Sequence, residues 1–410
     1  MTPPIGPALQ LVLPGFSPDR RDKPLTIIQQ NCKGLSMRSW FPLLFAVLAG
    51  AAHAQRAPAD QPPRIDERVA QIPQTALGAP WAFIGFAVTT PTAPEWFVAT
   101  STPRGGSMGR HLSAGDDHTA VLVLSSEILD KPIDTDAALL ELARSRHAKL
   151  SERWQIGKHD ETIVRHAGTR CARHTLEALQ LEDTSPRKSA AKANEQRNSM
   201  FVTGISCVHP TDSTMLVEVG VSERGRAIKG SPIVARDAEQ AITSLTFHRF
   251  NEQALQKSAE AARTTGLVDA EAVLKPYVDA DAAWARYFLA QIIERARPAP
   301  ENAGVRIKSL LEPAAEKGLA DAQWSLGTLY LRGAPGVPKD PSLAEALLRR
   351  AAERGNAGAA FQLGIAQLSG ADGIAANKSE GALWVQRAAV RGLKEAQELL
   401  KGTREKPAKK

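Results

Sequence analysis

The chain of 410 residues has little cysteine, no long apolar run and no strong excess of charge. Its three cysteines form no Cys-x-x-Cys pair, which removes the usual thiol redox motif. The apolar run near residue 45 is shorter than the about 20 residues that a spanning helix needs. A net charge of +7 is too small to indicate nucleic-acid binding. Serine-hydrolase, zincin and Walker A signatures are also missing from the sequence.

Residues 37–54 have the pattern of a signal peptide. Arg38 supplies a charged start, and residues 41–51 form an apolar segment of the usual length. Small residues then predict cleavage between Ala54 and Gln55. The alternative is a buried helix or an uncleaved anchor. After cleavage we expect no stable membrane insertion and a periplasmic or secreted protein.

The segments around the signal peptide carry little structure of their own. Residues 1–36 fit poorly before a signal, so we expect them to be untranslated, with a start at Met37, or disordered. Residues 55–78 are rich in proline, alanine, glutamine and arginine, and are interpreted as a flexible linker. Residues 403–410 form a basic tail.

The mature chain keeps two cysteines, Cys171 and Cys207, an even number in an oxidising compartment. Each lies in a β-like run, so we predict a disulfide between neighbouring strands. A redox pair is the alternative. His166 and His174 flank Cys171, but alternation along a strand puts His174 and Cys171 on opposite faces. The sequence therefore predicts no metal site and no cofactor.

Residues 79–250 alternate between strand and helix patterns. Strand-like runs precede a helical period over 136–153, four further strand candidates follow, and a closing helix covers about 234–245. This order, with the stretch Ala241–Phe247, resembles the PsbP/DcrB-like α/β sandwich. The resemblance implies an antiparallel sheet with helices on its faces, and an accessory role in binding or assembly without catalysis.

Residues 251–402 contain a repeat with a period of 37 residues. Ala-Ala-Glu-Lys-Gly at 314–318 recurs in related form at 351–355 and 388–392, and Leu-Gly at 326–327 recurs at 363–364. Each unit is predicted to be a helical hairpin that ends at a glycine, and a single hairpin must stack on its neighbours to bury its apolar face. The units resemble the Sel1-like, tetratricopeptide-related repeat in its alanine, Leu-Gly and terminal glycine positions. The fold class is therefore α+β, an antiparallel sheet with packed helices followed by an all-α repeat solenoid.

The resemblance implies a scaffold that holds a protein or peptide partner on the concave face of the first helices. Aromatic and acidic residues assigned there form a candidate groove: Asp281, Trp284, Asp321, Trp324 and Phe361. The alternative is that these aromatics only pack the repeats together. We therefore expect an exported, non-enzymatic interaction or scaffold protein that acts in envelope assembly or stress. A periplasmic hydrolase or peptidoglycan-acting enzyme with a site in residues 80–250 is the alternative.

Overall fold

The computed structural model describes residues 77–93, 95–112, 118–152, 154–181, 198–226 and 228–404. The predicted signal peptide and its cleavage site between Ala54 and Gln55 lie outside these residues, as do most of the predicted linker and tail. Within them, no helix is both long and apolar enough to cross a bilayer.

Strands form the first part of the described chain. The bounds are β1 Pro80–Ala82, β2 Phe86–Thr89, β3 Phe97–Thr102, β4 Gly105–His111, β5 Thr119–Ile128, β6 Trp154–His166, β7 Thr169–Gln180, β8 Asn198–His209, β9 Asp212–Arg226 and β10 Thr246–Phe247. A seven-stranded antiparallel sheet has the order β3-β4-β5-β9-β8-β7-β6, and a small sheet has the order β1-β2-β10.

Alternation along the strands places the core of the large sheet. In β9 the valines at positions 217, 219 and 221 are buried while the residues between them are half-buried. In β5, Ala120, Leu122 and Leu124 are buried and the valines between them are half-buried. Cys171 and Cys207 are direct partners of β7 and β8 and form the predicted disulfide.

Helices cover the two faces of this sheet. Helix α1 (Asp136–Ala148) buries Leu139 and Ala143 in a cluster with Ala172 of β7. Helix α2 (Pro232–Thr243) packs on the other face. Its fully buried Asp237 accepts hydrogen bonds from Trp96 Nε1 at 2.8 Å and from the Arg110 guanidinium at 3.0 Å. Both hydrogen bonds end on the same oxygen, Oδ2, and the Arg110 guanidinium supplies the opposite charge that a buried carboxylate needs.

The rest of the chain is helical, as predicted. The bounds are α3 Glu252–Thr264, α4 Leu267–Asp279, α5 Ala283–Arg295, α6 Ala303–Glu316, α7 Ala320–Arg332, α8 Pro341–Glu353, α9 Ala357–Ser369, α10 Lys378–Val390 and α11 Lys394–Arg404. Helices α5, α7, α9 and α11, here called the first helices, begin at residues 283, 320, 357 and 394. These starts are 37 residues apart, so the period of the sequence is the period of the structure.

The sheet and the helices share one core. Trp81 and Phe86 of the small sheet belong to the same buried cluster as Phe250 and Trp284. The backbone oxygen of Pro80 also accepts hydrogen bonds from Arg354 at 3.0 and 3.3 Å. The strands and the repeats therefore meet across a packed interface and belong to one compact unit.

Candidate partner-binding surface of the repeats

Equivalent positions of the first helices carry a row of aromatic rings. Counting from the helix starts, Tyr287, Trp324 and Phe361 are 37 residues apart and occupy the same position of α5, α7 and α9. All three are half-buried, so part of each residue faces solvent. We call this set the aromatic row.

The structure changes the assignment of Trp284. Its ring is only 1% exposed and packs against Phe250 at 5.1 Å and Tyr277 at 5.2 Å between centroids. Its Nε1 donates to the backbone oxygen of Arg249 at 2.8 Å. Trp284 lies three residues before the position of α5 that is equivalent to Trp324. Its ring packs where the repeats meet the sheet region. It offers no surface to a partner.

Asp281 also has a different place from the one assigned by sequence. It lies 37 residues before Gly318 and 74 before Gly355, at the junction between hairpins, and like them it has a positive φ, of 57°. Its carboxylate accepts hydrogen bonds from Lys317 and Arg286. This junction needs a left-handed residue, which explains the glycines of the other units. Asp281 is thus part of a connection and not the counterpart of Asp321.

Side-chain hydrogen bonds connect the successive first helices beside the aromatic row. Trp324 Nε1 donates to Gln362 Oε1 at 2.8 Å, and Thr328 Oγ1 donates to the same oxygen at 2.9 Å. Between the preceding pair of helices, Gln291 Nε2 donates to Ser325 Oγ at 3.2 Å. These bonds fix the orientation of the indole and the spacing of the helices.

Asp321 brings an unusual carboxyl to one end of this surface. It lies in the first turn of α7 and is half-buried, and Asn356 Nδ2 donates to its Oδ1 at 3.1 Å. Burial raises the pKa of Asp321 to about 6. Burial raises the pKa of Tyr287, and the negative charge of Asp321 adds to that rise, so the two side chains act on each other. A carboxyl of this kind can change its protonation near neutral pH.

Glycines allow the helices of a hairpin to approach closely. A Cβ at Gly364 of α9 would lie 2.8 Å from Gly381 O and 2.9 Å from Val385 Cγ2 of α10. The Leu-Gly signature of the repeat therefore marks the point where the two helices of a hairpin touch.

Sequence reasoning missed several members of this surface, among them Tyr287, Thr328 and Gln362. Tyr287 would have been found by subtracting 37 from the position of Trp324. The side chains of the polar links carry no such signal, because serine, threonine and glutamine are ordinary residues of exposed helices. Elsewhere in the described residues, three potential metal ligands converge: His147 of α1 and His159 and Glu161 of β6.

The Sel1 repeat family model matches residues 320–356 and 357–392. These two segments are the hairpins α7–α8 and α9–α10, and they hold Trp324, Phe361 and the links to Gln362. Residues 320–392 are Sel1 repeats. The match confirms the repeat class that the 37-residue period predicted. A comparison with curated proteins finds no match.

Comparison with solved structures finds similar proteins from several bacteria. A Sel1 repeat protein from Oxalobacter formigenes is 30% identical, with 32% of this chain and 95% of that chain covered and a TM-score of 0.28. A protective antigen of uropathogenic Escherichia coli that displays an SLR fold is 20% identical, with 42% and 36% covered and a TM-score of 0.33. This chain therefore spans about a third of that antigen.

The PsbP-like resemblance of the sheet region also has a counterpart among solved structures. Cyanobacterial PsbP from Synechocystis is 11% identical, with 48% of this chain and 99% of that chain covered and a TM-score of 0.24. Sel1 repeats generally mediate protein–protein interaction.

Proposed function

We propose that this protein is an exported, non-enzymatic scaffold that holds a segment of a partner protein on the first helices α5, α7 and α9. The observation that carries the proposal is the linked set of Trp324, Thr328 and Gln362, which holds an indole half-exposed in one orientation. Tryptophan and tyrosine are over-represented among the residues that dominate protein interfaces.

The chemistry of the surface indicates what the partner presents. Apolar side chains of the partner would pack on the aromatic row. A hydrogen-bond donor or a cation would meet Asp321, whose carboxyl has one side-chain donor, Asn356, among the described contacts. Because burial raises the pKa of Asp321 to about 6, a cationic partner would bind more strongly above that pH.

The sheet region contacts the repeats and holds the helices that carry the aromatic row in place. Arg354, at the end of α8, donates to Pro80 O, and the buried Trp284 anchors α5 against Phe250. A surface that is held rigid before binding loses less conformational entropy when the partner arrives. This gives the sheet region a role in positioning the repeats.

Export is supported by the disulfide between Cys171 and Cys207, because such bonds persist in oxidising compartments. The signal-like residues 37–54 point the same way. Intact mass of the protein recovered from periplasm or medium tests this part of the proposal. We expect an N-terminus at Gln55, and a product that keeps residues 37–54 would contradict cleavage.

The binding surface is tested by capture from envelope extract with three versions of the protein. The wild type is compared with Trp324→Ala/Gln362→Ala, which removes the linked surface. The matched control is Leu343→Ala/Val390→Ala, which removes two apolar side chains, 40% and 46% exposed, from the second helices α8 and α10. Circular dichroism confirms that each version is folded.

We expect the same identified partner with wild type and control, and its loss with the double variant. Replacement of Phe361 by a photo-crosslinking phenylalanine analogue should then join that partner covalently to α9. A partner retained by the double variant, or a crosslink that never forms, would contradict binding on the first helices.

A further inference from the structure

Three potential metal ligands meet at the edge of the large sheet, far from the repeats in sequence. His159 and Glu161 lie two residues apart on the edge strand β6, so their side chains share one face. His147 approaches this face from the last turn of α1. We infer that His147, His159 and Glu161 form a binding site for a divalent transition metal, with zinc as the best fit.

The distances between the ligand atoms carry this inference. His147 Nδ1 is 2.7 Å from Glu161 Oε1, His159 Nε2 is 3.0 Å from the same oxygen, and the two nitrogens are 3.2 Å apart. Tetrahedral zinc with bonds of about 2.0–2.1 Å separates its ligand atoms by about 3.3 Å. The three edges of the triangle therefore need to lengthen by about 0.1 to 0.6 Å to hold the ion, the His147–Glu161 edge the most.

The surroundings hold the ligands in place. The ring of His174, which is the cross-strand partner of Glu161, lies 4.6 Å from the ring of His147. The second carboxylate oxygen of Glu161 lies 3.3 Å from Arg144 Nε. Such outer contacts orient metal ligands and fix their rotamers.

The site is both enclosed and reachable. The Glu161 side chain is 3% exposed and that of His147 13%, while His159 at 26% leaves an opening to solvent. Two imidazoles and one carboxylate leave a fourth tetrahedral position for water or for a donor from a partner. The negative end of the α1 dipole also favours a cation at the last turn of this helix.

Metal binding is tested on protein purified without a histidine tag. Co²⁺ is added and its visible absorption is recorded, and Zn²⁺ affinity is measured by competition with a chromophoric chelator. We expect one Co²⁺ per chain with the intense bands of tetrahedral coordination. Since even outer partners are worth about 10–100-fold in metal affinity, His147→Ala and Glu161→Gln should weaken Zn²⁺ binding by about 100-fold or more.

Two further variants make the outcome decisive. His159→Ala changes the most exposed ligand and leaves the buried ones in place, so it remains informative if another variant fails to fold. His118→Ala is the matched control, because His118 Nε2 lies 2.6 Å from Glu223 Oε1 yet no third ligand joins that pair within the described chain. Weak octahedral Co²⁺ bands, or equal Zn²⁺ affinity in wild type and His159→Ala, would overturn the site and leave a hydrogen-bonded cluster in which Glu161 accepts from both histidines.

Discussion

The close approach of α9 and α10 predicts that Gly364→Ala destabilises the protein, although alanine is the better helix former. Alanine should gain about 1 kcal/mol of helix propensity over glycine. The new Cβ, however, would lie 2.8 Å from Gly381 O and 3.0 Å from Val385 N, both backbone atoms that move only with their helix. Overpacking costs about 1–3 kcal/mol, and backbone clashes lie near the upper end of that range. We expect a net loss of about 2 kcal/mol in the free energy of unfolding.

Urea denaturation measures this loss as a shift of the midpoint at constant slope. Gly402→Ala in α11 is the matched control, because a Cβ there would meet nothing within 4 Å. It should stabilise the protein by up to about 1 kcal/mol. If Gly364→Ala gains as much stability as Gly402→Ala, then the two helices do not cross at this glycine, and our explanation of the Leu-Gly signature is wrong.

Three further predictions follow from the core, the disulfide and Asp321. Replacing Cys171 and Cys207 by alanine should cost about 4 kcal/mol, because the bond closes a loop with a sequence separation of 36, and wild type but not the variant should lose melting temperature on reduction. Trp284→Ala should cost about 3–5 kcal/mol as a large-to-small change in the core, whereas Trp324→Ala should leave the protein folded; equal losses of stability would contradict their different burial. Burial raises the pKa of Asp321 to about 6, above its ordinary value, so the folded state favours the protonated carboxyl and stability falls as pH rises from about 4 to about 6. Asp321→Asn should therefore stabilise by up to about 3 kcal/mol at pH 7.5 and by little at pH 4, and a thermal shift that is the same at both pH values would refute this.

Much of the architecture could be predicted from local patterns. The period of 37 residues placed the helical hairpins, since every unit must repeat the same turn and the same close packing. Alternation in the β7 and β8 regions predicted strands, and the disulfide between Cys171 and Cys207 followed from their being the two cysteines of those strands. These features depend on residues that are near in sequence or that recur at a fixed interval.

The candidate site was predicted less well, because its members were aligned by residue type. Two tryptophans, Trp284 and Trp324, looked equivalent, but the helix starts place Tyr287 in register with Trp324. Trp284 instead packs against Phe250, which follows the last strand of the small sheet. Sequence could not show this burial, because it arises where the repeats meet a separate part of the fold.

The sequence by itself determined the repeat class, the α+β order and the residues able to form a disulfide, because spacing and alternation encode local geometry directly. Tertiary structure decided which aromatic rings remain half-exposed and which helices link through Gln362. It also brought His147 of α1 to within 3.2 Å of His159 on β6. Those contacts depend on how a helix packs across a sheet and how hairpins stack, and no fixed spacing along the chain records them.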